Sequence, residues 1–134
     1  PVLAGCTEPL VAGAPDLRGT WRVVAVEVDG GWRSDHPMVG TEQRIEQAGD
    51  RLVVTSGGVI HDMRCDGILE HGVDDVMARD FETPIRVTAS YEDGVHVLRP
   101  EGAPVEVRRR REGAHMLWDY VDVRARCEQV PGDG

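Results

Sequence analysis

At 134 residues the chain has room for one domain with a single core, and not for two. Its 24 acidic residues outnumber 15 basic ones, all arginine, giving a net charge of -9; this disfavours nucleic acid as a partner, because neutralising phosphates needs clustered positive charge. Aromatic residues make up only 4% of the chain, so the core must come from Val, Leu, Ile, Met and Ala, and no apolar run is long enough to span a bilayer as a helix. The absence of Lys and Asn fits the codon usage of a GC-rich genome, so arginine alone carries no functional message.

The chain opens on Pro1–Cys6, in which Leu3-Ala4-Gly5-Cys6 resembles the lipobox of bacterial lipoproteins. That resemblance implies that Cys6 carries a thioether-linked diacylglycerol, that the membrane is a partner through this lipid, and that the protein sits in the bacterial periplasm or at the cell surface. Thr7–Asp16, rich in Pro, Gly and Ala, reads as an exposed tether, so residues 1–16 form one lipobox-and-tether segment. The plain alternative is a frayed terminus holding an ordinary cysteine. In an oxidising compartment Cys65 and Cys127 are left as an even pair, and a bridge between them restricts the unfolded chain by roughly 4 kcal/mol. Two reduced thiols are the competing reading.

The first β-rich run is Thr20–Val28, closed by the turn Asp29-Gly30-Gly31. Trp32–Gly40 contains Pro37 and no clean period, and reads as an irregular crossing over one end of the domain. Thr41–Gln47, Arg51–Ser56 and Val59–Cys65 follow, separated by Gly-containing turns of hairpin length. In Ile68–Thr83 the spacing of Val73, Val76, Met77 and Phe81 is helical and leaves room for one short helix. Ile85–Tyr91, Val95–Arg99, Val105–Arg111 and Ala114–Ala125 complete about eight strands. Antiparallel strands in this number are expected to close into an all-β up-and-down barrel over residues 17–127, with 128–134 as a flexible tail; a β-sandwich is the alternative.

At the start of the first strand, Gly19-Thr20-Trp21 resembles the G-x-W signature of lipocalins and their calycin relatives. The resemblance implies that Trp21 plugs the closed end of the barrel and that an arginine near the end of the last strand, Arg124 or else Arg126, stacks across its ring. Arg124 is the expected partner. The same resemblance implies a Cys65–Cys127 disulfide from a middle strand to the carboxyl-terminal segment. Classical lipocalins continue into a packed helix, for which this chain leaves little length after Cys127.

Few residues invite chemistry. His61, Met63 and Cys65 fall on one strand face, a donor set suited to copper or zinc, but core packing explains Met63 and Cys65 more simply and no metal is assigned. His36, His71, His96 and His115 are scattered, and neither Ser34 nor Ser56 has the setting of a nucleophile, so no catalytic residue or cofactor is assigned. Arg108–Arg111, the one basic run, divides on a strand into Arg108/Arg110 and Arg109/Arg111 on opposite faces, and the inward pair is placed to orient an anionic headgroup. Met116, Trp118 and Tyr120 share one face of the last strand. Met63, Met116, Trp118, Tyr120 and Arg109 are therefore the candidate ligand-binding residues. The expected function is a non-catalytic, membrane-anchored lipoprotein that binds or carries a small apolar or amphipathic ligand. The alternative is a protein-interaction module, either a periplasmic protease-inhibitor-like barrel or an accessory subunit of a membrane complex.

Overall fold

The fold was taken from a computed structural model, which describes residues 2, 3, 6–76, 80 and 82–131. Eleven strands follow in chain order: β1 Gly19–Val28, β2 Gly31–Arg33, β3 Glu42–Ala48, β4 Arg51–Ser56, β5 Val59–Arg64, β6 Val73–Val76, β7 Pro84–Glu92, β8 Val95–Pro100, β9 Val107–Glu112, β10 His115–Tyr120 and β11 Val123–Gln129. All pair antiparallel in the order β5-β4-β3-β1-β11-β10-β9-β8-β7-β6, with the short β2 on the free part of β1. The pairing of β1 with β11, Trp21 opposite Gln129 and Glu27 opposite Arg124, wraps the meander into a nearly closed all-β barrel. Ten strands form the wall where about eight were expected. The extra ones arise because Val73–Val76 is extended and pairs with Pro84–Val87, and because residues 114–125 split into two strands at the Val121-Asp122 turn.

The short helix expected in this region is therefore not formed by its first half. Valines at 73 and 76 are β-branched, and across a strand they gain a ladder that an isolated helical turn would lack. Met77 and Phe81 lie outside the described residues. Leu69–His71 makes one 3-10 turn, after which Gly72 passes so close to β7 that a Cβ there would meet the Val87 carbonyl oxygen at 1.8 Å. Only glycine allows that approach.

Among the described residues the seam between β5 and β6 carries no strand ladder. Its lower end is closed by Asp66 bridging to Ser90 and by the Gly67 N–H donating to the Ala89 carbonyl at 2.9 Å. Higher up, His61 and Asp75 face each other across it at 3.7 Å.

Strand alternation divides the wall. Trp21, Val23, Ile45, Leu52, Met63, Cys65, Ala89, Met116 and Cys127 point inward and form the packed core at one end of the barrel. A bulge between Val23 and Ala25 shifts the phase of β1, so that Val26 resumes the inward face. The closed end is sealed by the residues before β1. Leu17 is fully buried; its N–H donates to Gln47 Oε1 at 2.6 Å, and its carbonyl accepts from Trp21 Nε1 at 2.8 Å. Gln47 Nε2 also donates to the Pro15 carbonyl and to the Tyr91 hydroxyl, each at 2.9 Å. Residues 11–16, read from sequence as part of a tether, are thus tied across the barrel end: Val11 N–H to Gly49 O at 3.2 Å, and Gly94 N–H to Gly13 O at 2.8 Å. At the other terminus β11 runs to Gln129, and Val130 N–H donates to Thr20 O at 2.8 Å, so residues 128–130 belong to the wall.

Candidate functional site

Above the packed core the barrel is hollow. A cavity of about 480 Å³ is walled by Val54, Val73, Ile85, Val87, Leu98, Val107, Trp118 and Tyr120, with Ser56, His61, Asp75, Pro100, Ala103 and Val121 toward its mouth. Its size and apolar wall match those of small-molecule sites.

Arg109 and Gln43 form the polar part of the inner lining, below the mouth residues Ser56, His61 and Asp75. Arg109 points inward from β9 and its Nε donates to Gln43 Oε1 on the opposite wall at 2.7 Å. Its Nη1 lies 3.4 Å from His96 Nδ1, which must be unprotonated to accept, and its guanidinium carbon sits 5.6 Å from the centre of the Trp118 ring. Burial pushes the Arg109 pKa down to about 10, still well above neutrality, so the side chain stays charged. Burial, with Arg109 beside it, holds His96 well below its ordinary value, so that ring is neutral. Among the described residues no carboxylate forms an ion pair with Arg109. The nearby thiols cannot substitute: burial pushes both Cys65 and Cys127 up to about 12, which leaves them uncharged at neutral pH. A guanidinium without an anion in a buried site is costly. Trp118 Nε1 and His96 Nε2 are also buried without a hydrogen-bond partner, and Trp118 lines the cavity. These groups suit an anionic or strongly accepting headgroup, with an apolar body above it.

The five sequence candidates for ligand contact separate into two groups. Arg109, Trp118 and Tyr120 line the cavity, whereas Met63 and Met116 are in the packed core beneath it. His61, which shares its face with Met63 and Cys65, lines the cavity opposite Asp75.

The stack expected for Arg124 on Trp21 is not formed. Arg124 points outward and makes a bidentate pair with Asp119, with Nε at 2.7 Å and Nη2 at 3.2 Å. Arg111 takes that place, its guanidinium carbon 5.2 Å from the Trp21 ring centre and its Nη1 donating to the Asp16 carbonyl at 3.0 Å. Arg126, the other candidate, lies 4.7 Å over Trp32. Gly19, the first residue of the Gly19-Thr20-Trp21 motif, has a local reason to be glycine: φ is +125°, and a Cβ would lie 2.4 Å from Gln129 Nε2, the group that bonds the Arg18 carbonyl. Cys65 and Cys127 are not bridged. Both are free and buried, Cys65 just after β5 and Cys127 on β11, with β4, β3 and β1 between them in the wall, and four strand spacings put them well outside bonding reach along the sheet. Cys6 is free and exposed.

Sequence reasoning missed Gln43, His96 and Arg111. Arg111 was within reach, since it shares the inward face with Arg109. His96 pairs directly with Arg109 in the β8–β9 register, which the long connection between those strands hides from sequence.

The fold and cavity define an all-β antiparallel barrel, nearly closed and hollow at one end. Human cRBP IV has this architecture, with a TM-score of 0.59 and 13% identity over 86% of this chain and 98% of its own. No family sequence profile matches the chain, and no curated protein is significantly similar to it in sequence.

Proposed function

We propose that this protein is a non-catalytic carrier of a small amphipathic molecule, whose anionic group meets Arg109 and whose apolar part fills the cavity above it. The observation that carries this reading is the buried Arg109 cation, which among the described residues pairs with no carboxylate and sits at the inner end of a cavity whose walls are largely apolar and whose other polar groups, Ser56, His61 and Asp75, lie toward the mouth. A ligand carboxylate would supply the missing charge, with the Trp118 N–H as a second donor. The shared fold with a retinol-binding protein, human cRBP IV, supports apolar carriage at the level of architecture. We further propose that Cys6 is acylated, holding the carrier on a bacterial membrane facing the periplasm or the exterior. Its exposure and the Leu3-Ala4-Gly5-Cys6 pattern support that anchor.

Titration with a long-chain carboxylate and with the alcohol of equal length, followed by Trp fluorescence, tests the carrier reading. The carboxylate is expected to bind the native chain, and Arg109→Gln to weaken it about 10- to 100-fold, or about 1.4–2.8 kcal/mol. The alcohol is expected to be affected far less. Failure of both compounds to bind would sink carriage and favour the alternative of a protein-docking barrel, for which the exposed Val59, Ile60, Tyr120 and Val121 near the mouth offer an apolar rim.

A further inference from the structure

The anchor and the cavity lie at opposite ends of the barrel. Two residues after Cys6, the Glu8 carboxylate sits where a Cβ on Gly49 would be, which puts the anchor beside the β3–β4 turn. That turn is at the end sealed by Leu17, Gln47 and Tyr91, whereas the cavity opens among Ser56, Pro100, Tyr120 and Val121, at the far ends of the strands.

The connection between Cys6 and the barrel is also short. Val11 is bonded to Gly49, Gly13 to Gly94, and Asp16 to Arg111, so the chain is held at three successive points across the closed end. The residues from Cys6 to Val11 reach roughly 17 Å when fully extended. The seven residues of β3 that lead from the closed end to the mouth span roughly 20 Å. An anchor at Cys6 therefore does not bring the mouth down to the lipid surface.

We propose that, on the membrane, the closed end of the barrel faces the bilayer and the cavity mouth points away from it, so that ligand enters and leaves on the aqueous side rather than from the anchoring leaflet. This rests on the acylated Cys6 proposed above for its biological setting, but its geometry is testable without it.

In the full chain Cys6 is the exposed thiol, while Cys65 and Cys127 are buried, so Cys6 can be coupled selectively to a maleimide-headgroup phospholipid in phosphatidylcholine vesicles. Amide hydrogen exchange of the coupled and free proteins is then compared. Peptides covering the closed-end turns at Gly49, Gly94 and Gly113 are expected to slow at least about threefold, and those covering Gly58, Gly102 and Asp122 at the mouth to stay unchanged. Slowing at the mouth, or equal slowing at both ends, overturns the proposal. A Gly/Ser insertion of fifteen residues between Leu10 and Val11 is expected to abolish the difference between the ends; its persistence would show that adsorption rather than the short tie sets the orientation. Mass analysis of the chain recovered from bacterial membranes separately tests the anchor. An unmodified Cys6 would remove the acylation reading and leave the measured geometry standing.

Discussion

At the scale of single residues, arginines divide by strand parity into distinct jobs. In β9 the outward Arg108 and Arg110 lie near Glu106 and Glu112, at 3.6 and 3.8 Å, as ordinary surface pairs. The inward Arg109 enters the cavity, and Arg111 covers Trp21. Trp21 is fully buried at the sealed end and bonded through its indole N–H. Trp21→Ala is thus expected to cost about 3–5 kcal/mol in urea unfolding. Arg111→Ala should cost about 0.5–1 kcal/mol through its cation–ring contact, and Arg124→Ala a surface pair worth less than about 1 kcal/mol. Since those last two ranges touch, the discriminating readout is coupling. Arg111→Ala should lose its effect in a Trp21→Phe or Trp21→Ala background, whereas Arg124→Ala should add independently. Coupling at Arg124 instead would contradict the observed stack.

At the scale of elements, strand pairing decides which distant residues meet. Cys65 follows β5 and Cys127 lies on β11, and the wall places β4, β3 and β1 between them. An even pair in an oxidising compartment and the calycin resemblance pointed to a disulfide, but the barrel order separates the two thiols, and burial keeps both protonated. A thiol reagent at pH 8 is expected to react with one thiol, Cys6, in the native protein and with all three after denaturation without reductant. A count of one after denaturation would establish the bridge. The β8–β9 pair shows the same dependence on register: His96 stands opposite Arg109, and Arg109 reaches Gln43 on the far wall only because the sheet closes.

At the scale of the whole molecule, the polar cluster within the barrel links pH to stability. His96 is neutral in the fold and held well below its ordinary value of 6.5, chiefly by burial and then by Arg109. Above about pH 6.5 folded and unfolded forms bind the same number of protons at this site, so its contribution is fully present. Below that pH the unfolded chain takes up a proton that the folded chain refuses, and stability falls by about 1.4 kcal/mol per pH unit. Urea unfolding between pH 5 and 7.5 is expected to show this extra slope in the native chain relative to His96→Gln. Coincident slopes would mean that the folded barrel admits the proton.

The sequence by itself determined the strand rhythm and the antiparallel all-β plan, and the lipocalin resemblance pointed to closure of the first strand on the last. These follow from local alternation, turn chemistry and one motif, all written within short stretches of chain. Candidates such as Arg109, Trp118 and Tyr120 were legible because side-chain parity is local too. Only the tertiary structure decided which arginine covers Trp21, that Met63 and Met116 lie in the packed core rather than in the cavity wall, that the two inner cysteines stay apart, and that residues 11–16 strap the closed end. Each of these depends on strand order and register around a closed wall, where contacts form between residues whose separation in sequence says nothing about their distance in space.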